Sequence, residues 1–156
     1  MLFSTKAEYG VRLMVALGRQ PGSAPVSLSA VAEAERLPLS YLEHLVARLR
    51  RAGLVTSTRG AHGGYSLAKP AAEITLDAVV EALEGQIAPM ECFHETPEGK
   101  VLCSHESNGH DACATKLLWT RVQSGVTKAL AGTTLAELVE FGGSAPEKTA
   151  PVGTAA

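Results

Sequence analysis

Cys92, Cys103 and Cys113 are the only cysteines in a chain of 156 residues, and His94, His105 and His110 lie between them. Thiolates are soft donors that hold iron–sulfur clusters and zinc, and imidazole completes many zinc sites. An odd number of cysteines argues against a disulfide framework. Structural cysteines are usually buried on periodic elements. These three stand among Pro, Gly, Asn and Ser between Gln86 and about Asp111, where hydrophobic periodicity stops. A stretch of that length without a pattern is usually functional or disordered. The spacings, ten and nine intervening residues, match no standard zinc knuckle. Three thiolates leave one coordination place open, which His94, His105 or His110 could fill in a Cys-three-His zinc site. On the residues alone, an iron–sulfur cluster and zinc stand level, and an unliganded redox-active trio comes third.

A second group of residues suits a polyanion. From Ser40 the chain reads S-Y-L-E-H-L-V-A-R-L-R-R-A, and Leu42, Leu45, Val46 and Leu49 recur at i, i+3, i+4 and i+7. That spacing makes one apolar stripe on a helix. Tyr41, His44, Arg48 and Arg51 fall on the other side, with Arg50 at the flank. The planar fork of arginine donates two parallel hydrogen bonds, which fit a phosphate or the edge of guanine. A solvated amphipathic helix would look the same in isolation, so the neighbouring segments decide. Leu28 to Arg36 predicts a short helix capped by Ser27, and Leu37-Pro38 breaks it. After Gly53, V-T-S-T-R, G-A-H-G-G and Y-S-L predict a β-hairpin whose glycines allow a tight reversal. Arg59 and His62 sit at or near its tip, within reach of phosphates or a minor groove. Helix, turn, helix and basic-tipped hairpin is the winged helix-turn-helix order. No Gly-Lys-Ser/Thr follows the glycines, so a nucleotide-phosphate cradle is not indicated.

The rest of the chain must position these two groups. A first helix is expected from about Thr5 to Gly18, with Thr5 and Glu8 at capping-box spacing and Tyr9, Leu13 and Leu17 along one face. Thr75 is expected to cap a helix to about Leu83, ending at Gly85. A long helix follows the cysteines, from about Ala114 to Leu130, in which Leu118, Val122, Val126 and Leu130 repeat every four residues. Its Gly125 weakens it locally but permits close helix approach. Thr133 or Thr134 should cap a short last helix. Residues 142–156, G-G-S-A-P-E-K-T-A-P-V-G-T-A-A, read as a disordered tail. The long helix has apolar residues to spare, so a symmetric pair of such helices would form a homodimer, matching a palindromic operator.

Composition sets wider bounds. The hydrophobic fraction is 46% with few aromatics, which fits a helical protein packed by Leu, Val and Ala. No apolar run is long enough for a membrane span, and Lys6, Glu8 and Arg12 interrupt any secretory signal, so a cytoplasmic location is expected. Residues 1–80 carry nine Lys/Arg against six Asp/Glu, and residues 81–156 carry five against ten. A basic front and an acidic back suit contact with DNA at one end only.

The motifs S-Y-L-E-H-L-V-A-R-L-R-R-A-G-L-V at 40–55 and R-G-A-H-G-G-Y at 59–65 resemble the Rrf2 family of bacterial transcription regulators. The likeness runs from M-L-F-S-T-K-A-E-Y-G at Met1 to about Phe141 and takes in the three cysteines and the Leu118-Trp119 pair. The resemblance implies a homodimeric winged-helix protein whose long helices cross at the dimer interface. It further implies an iron–sulfur cluster, of two or four irons, on Cys92, Cys103 and Cys113, whose state controls operator binding. Carried over by position, Ser40, Tyr41, Glu43 and His44 would face bases and backbone, with Arg59 in the wing. Glu43 has a competing role, because Ser40 and Glu43 are also spaced as a capping box. The cysteine spacings are longer than is usual in the family. The branch that regulates cluster biogenesis has a histidine where Lys116 stands here, and a protonated lysine has no lone pair for iron. The nitric-oxide and redox branches use an acidic residue near the N-terminus of the partner subunit, and Glu8 occupies that place.

The expected fold is therefore mostly α: a winged helix-turn-helix with a small β-hairpin wing and a long C-terminal dimerisation helix. The expected divisions are a DNA-binding domain at 1–84, a cysteine-rich loop at 85–112, the dimerisation helix and short terminal helix at 113–141, and the tail. The expected function is a repressor that senses iron, redox state or nitric oxide through its cluster. The alternative is a winged-helix regulator with a structural zinc and no sensing role. A thiol or metal hydrolase using the cysteines lacks any nucleophile–base–orienter pattern.

Overall fold

Leucine, valine and alanine at helical spacing build most of this molecule, and the residues flanking each run set its ends. The computed structural model describes residues 3–86, 93–95, 101–103 and 114–143. In chain order these form helices α1 (Thr5–Gly18), α2 (Leu28–Glu35) and α3 (Leu39–Arg51), strands β1 (Val55–Thr58) and β2 (Gly64–Leu67), and helix α4 (Leu76–Glu84). Strands β3 (Phe93–Glu95) and β4 (Val101–Cys103) follow, then helices α5 (Ala114–Ala131) and α6 (Leu135–Gly143). Single 3-10 turns occupy Pro21–Ser23 and Ala71–Glu73.

The core is a junction of α1, α3 and α4. Leu13 and Met14 of α1, Leu42, Leu45 and Leu49 of α3, and Val79 and Leu83 of α4 are almost fully buried in one cluster. Each such side chain contributes about 1.5–3 kcal/mol on burial. Helices α1 and α4 approach so closely at Gly10 that a methyl group there would run into the side chain of Leu83. The hairpin joins this body through Val55, which is buried, and through Tyr65. The backbone of Tyr65 exchanges hydrogen bonds with Val26 at 2.8 and 3.0 Å, just before α2. Helix α6 also belongs to this body. Leu76 N donates to the Thr133 carbonyl at 3.0 Å and Leu135 N to that of Ile74 at 2.8 Å, while Leu135 is fully buried.

The helix ends partly depart from the sequence expectations. Ser27 caps α2 as expected, its hydroxyl accepting from Ala30 N at 3.2 Å. Thr134 caps α6 in a full capping box with Glu137, whose carboxylate accepts from Thr134 N at 3.2 Å and from Thr134 Oγ1 at 3.0 Å. At α1 the N-cap is Ser4 and not Thr5, so the Thr5–Glu8 box does not form. The carboxylate comes from another helix: Glu84 of α4 accepts from Ser4 N at 3.0 Å, Ala7 N at 3.3 Å and the Ser4 hydroxyl. At α3 the N-cap is Pro38 and the helix begins at Leu39, one residue before the expected start, so Ser40 lies within the first turn and no Ser40–Glu43 box forms. Proline tolerates that place because its fixed φ suits a helix entry and its missing N–H has no partner to lose. Thr75 stands at the N-cap of α4 without a side-chain cap bond.

Two other expectations change. The cysteine-rich stretch, expected to lack regular structure, contains the antiparallel pair β3–β4, with Phe93 opposite Cys103, His94 opposite Leu102 and Glu95 opposite Val101. Three-residue strands are too short for alternation to show in a sequence window. Helix α6 extends to Gly143, past the expected start of the tail at 142. Residues 144–156 lie outside the described residues.

Burial pushes the Glu84 carboxyl up, but hydrogen bonds from Ser4 and the nearby Lys6 ammonium, 3.1 Å away, outweigh this and hold it below its ordinary value. A carboxyl with a lowered folded pKa adds stability that is present at neutral pH and lost as pH falls through that pKa. Replacing Glu84 with Ala should lower the unfolding free energy at pH 7 by about 1.5–3 kcal/mol, the usual size for hydrogen bonds to a charged group. The difference from wild type should shrink as pH falls through this lowered pKa, where the wild-type carboxylate takes up its proton. Chemical denaturation across a pH series measures this, and a pH-independent difference would show that the charge is not what holds the two helices.

Candidate nucleic-acid interface and cysteine segment

Because Leu42, Leu45, Val46 and Leu49 are drawn into the core, the opposite side of α3 is fixed in the open. Ser40, Glu43, His44 and Arg51 are all exposed there, around the half-buried Ala47. Glu43 is not used as a cap and presents its carboxylate to solvent. A donor–acceptor set of this kind, on a helix held by its other face, can meet the edges of bases in a major groove.

The flanks of α3 differ from its outer face. Tyr41 is half-buried, with its ring edge-on to that of Tyr9 at 5.7 Å and 89°. Arg48 leans toward α4, where its Nη1 donates to the Leu83 carbonyl at 3.2 Å. On the opposite flank Arg50 turns toward the wing and donates to Ser57 Oγ at 3.3 Å. The sequence grouped Tyr41 and Arg48 with the outer face; the structure half-buries Tyr41 against Tyr9, whereas Arg48 stays exposed while donating one bond within the subunit. It also makes Arg50 a tie between α3 and the hairpin.

The turn before α3 is clamped by a residue that sequence reading did not single out. Arg12 of α1 donates through Nε and Nη2 to Glu35 Oε2 at 3.1 and 3.0 Å, and through Nη2 to the Glu35 carbonyl at 2.6 Å. Arg36 then takes a left-handed conformation (φ 55°), and Leu37 N closes back on the Ala32 carbonyl at 2.9 Å. These contacts set the angle between α2 and α3. Arg12 and Glu35 lie 23 positions apart, so no local spacing rule could have paired them.

The wing pairs Val55 with Leu67, Thr56 with Ser66, Ser57 with Tyr65 and Thr58 with Gly64. Its loop is Arg59 to Gly63, closed by a hydrogen bond from Gly63 N to the Gly60 carbonyl at 2.9 Å. Gly64 lies so close to the Val26 backbone that no side chain fits. Arg59 and His62 are exposed on this loop, as expected. With Arg50, Arg51 and Lys69, the side of the molecule that carries α3 and the wing is rich in cations, with Glu43 among them.

Of the expected metal ligands, Cys92, Cys113, His105 and His110 lie outside the described residues. Cys103 ends β4 and His94 is central in β3. Cys103 pairs with Phe93, the residue that follows Cys92 in sequence, and Cys113 immediately precedes the first residue of α5. Glu8 is exposed on α1 beside a groove of about 780 Å³ that is also lined by Phe3, Tyr9, Val80 and Leu130. Among the described residues, no three His, Cys, Asp or Glu side chains converge as metal ligands. Among the same residues, no helix is long and apolar enough to cross a membrane.

Comparison with known proteins agrees with this architecture. The profile of the Rrf2 family, described as an iron-dependent transcriptional regulator, matches residues 3–141. The chain is 36% identical over 141 residues to the HTH-type transcriptional regulator CymR of Bacillus subtilis, covering 90% of this chain and 91% of CymR. It is 37% identical over 139 residues to the HTH-type transcriptional regulator IscR of Serratia proteamaculans, covering 89% of this chain and 79% of that one. Its fold superposes on the structure of T. potens IscR with a TM-score of 0.74 at 33% identity, covering 96% and 94% of the two chains. It superposes on that of B. subtilis CymR, described as the global cysteine regulator, with a TM-score of 0.72 at 35% identity, covering 90% and 98%. Both architecture and sequence thus make this chain a member of the Rrf2 family of transcriptional regulators, which are winged helix-turn-helix proteins and not enzymes.

Proposed function

We propose that the protein is a cytoplasmic, homodimeric repressor that binds a palindromic operator in double-stranded DNA, and that an iron–sulfur cluster on Cys92, Cys103 and Cys113 controls this binding. The observation that carries the DNA part is the outer face of α3, anchored by its buried stripe and flanked by a cationic wing. In this reading Ser40, Glu43, His44 and Arg51 enter the major groove. Arg51 is suited to guanine or phosphate, and Glu43 to the amino group of cytosine. Arg59 and His62 contact the adjacent backbone or minor groove. Tyr41 and Arg48 contribute by holding the helix, since both are engaged within the subunit.

Helix α5 supports the dimer. Leu117 and Leu118 are 61% and 54% exposed, and the missing side chain of Gly125 faces open space. Apolar side chains left open on a long helix are what a second copy would cover. The working divisions are a reading head at 1–84, a sensing loop at 85–112, and α5 with α6 at 113–143.

The donor set fits a cluster. Three thiolates are gathered in one segment, and the β3–β4 register sets Cys103 opposite the sequence neighbour of Cys92. When bound, the cluster supplies a centre whose occupancy or oxidation state varies with iron, redox state or nitric oxide. The fourth ligand is Glu8 of the partner subunit or one of His94, His105 and His110; Lys116 cannot serve while protonated. Cys113 adjoins α5, so a change at the thiolates bears directly on the helix that spaces the two reading heads. To switch the protein, the thiolates must hold their ligand more tightly in one conformation than in the other. The three histidines between the cysteines favour a second reading, a structural zinc with no sensing role.

Replacing Arg59 with Ala should weaken DNA binding and reduce the slope of log affinity against log salt by about 0.9, the share of one phosphate contact. An unchanged affinity and slope, measured by fluorescence anisotropy, would remove the wing from the interface. Anaerobic purification followed by iron, sulfide and zinc analysis tests the cofactor. Matching iron and sulfide with visible absorption is the expected result. About one zinc per chain would establish the structural-metal reading instead.

A further inference from the structure

The last turn of α4 is held from three sides. The Leu83 side chain packs where α1 has only Gly10, its carbonyl accepts from Arg48 of α3, and the Glu84 carboxylate accepts from Ser4 and Ala7 in the turn before Glu8. At Gly85 the backbone turns sharply, with φ 83° and ψ −161°, a conformation open in practice only to glycine. The chain that carries the three cysteines departs from this point. That segment is thus continuous with Leu83 and Glu84, and Arg48 is a polar link from Leu83 to the reading helix.

Arg48 borders the outer face of α3, four positions after His44 and three before Arg51, and is exposed, but it already spends a donor on a carbonyl of its own subunit. The Leu83 carbonyl belongs to the last turn of α4, where orphan carbonyls need an outside donor and favour positive charge. The bond therefore has its own electrostatic reason to persist without DNA.

We propose that Arg48 is a positioning residue that couples the cysteine segment to DNA recognition, by fixing the recognition helix to the last turn of α4. The coupling half of this proposal rests on the reading of the cysteine segment as the sensing element. The bond gives α3 one orientation while Leu83 is in place. Displacing the end of α4 frees or tilts α3 relative to the wing, which stays tied through Arg50.

The test uses the full-length protein with a duplex selected by the wild-type chain from a random-sequence pool. Affinity is measured for anaerobically isolated protein and for protein stripped by a chelator, each across a salt series. Arg48→Met keeps the apolar stem and removes the donors. It should retain wild-type metal content and the wild-type salt slope, while the ratio of loaded to stripped affinity contracts by about fivefold or more. Arg48→Lys, which keeps a donor and the charge, should retain the ratio, and it also serves if the Met variant melts early. A slope lowered by about 0.9 with the ratio intact would make Arg48 a phosphate contact and overturn the proposal. A ratio fully retained in Arg48→Met would overturn it as well. If wild-type protein binds equally well loaded and stripped, the sensing reading fails and the coupling with it, and the slope alone then decides whether Arg48 positions the helix or touches DNA.

Discussion

The buried stripe of α3 is the constraint on which the other features depend. Leu42, Leu45, Val46 and Leu49 can reach the core only with the helix in one rotation, between α1 and α4. That rotation decides which side chains face outward. Turning the helix by one residue, about 100°, would expose Leu42 or bury Arg51, and a cost of about 1.5–3 kcal/mol or more for either is a large share of the roughly 5–15 kcal/mol by which a domain is stable. The polar ties at Arg12, Arg48 and Arg50 then refine a position that hydrophobic burial has already selected. Arg12 makes three hydrogen bonds to Glu35 and Arg48 and Arg50 one each, all at or near the surface and worth less than the stripe.

The same packing joins the recognition helix to the helix that precedes the cysteines. Helix α4 gives Val79 and Leu83 to the core beneath α3, and its last turn caps α1 through Glu84. A helix that both supports the recognition helix and precedes the cysteines cannot move without disturbing the packing beneath α3. Helix α6 closes the far side, with Leu135 buried and its first turn bonded to the start of α4. Helix α5, by contrast, leaves large apolar side chains in the open. One chain thus carries a closed core beneath α3 and, on α5, an uncovered apolar face at Leu117 and Leu118.

Much of this was legible in the sequence because it is local. The stripe of α3, the hairpin glycines and the serine before α2 follow rules that span fewer than ten residues, and the six helices lie close to where periodicity put them. What the sequence obscured is what joins distant positions. Glu8 and Thr5 have the spacing of a capping box, yet the carboxylate at that helix end is Glu84, brought 80 positions along the chain by the α1–α4 packing. Glu43 looked like a cap until Pro38 was seen to begin the helix. Arg48 and Tyr41 shared a helical face with Arg51 on the broad view, but a helix has flanks as well as two sides, and only the neighbours α1 and α4 show which residues they claim. The strands at 93–95 and 101–103 were invisible because three residues carry too little pattern. The family resemblance added the expected cluster ligands, which the residues alone left level with zinc.

A hydroxyl-radical footprint of the native protein on its selected duplex tests the central claim most directly. That claim is that two copies of this reading head lie on one face of DNA with α3 in the major groove. The account predicts two protected patches related by a dyad, with centres separated by about 10–10.5 base pairs or a multiple of that spacing. A single short patch, or protection without any dyad or helical periodicity, would contradict it.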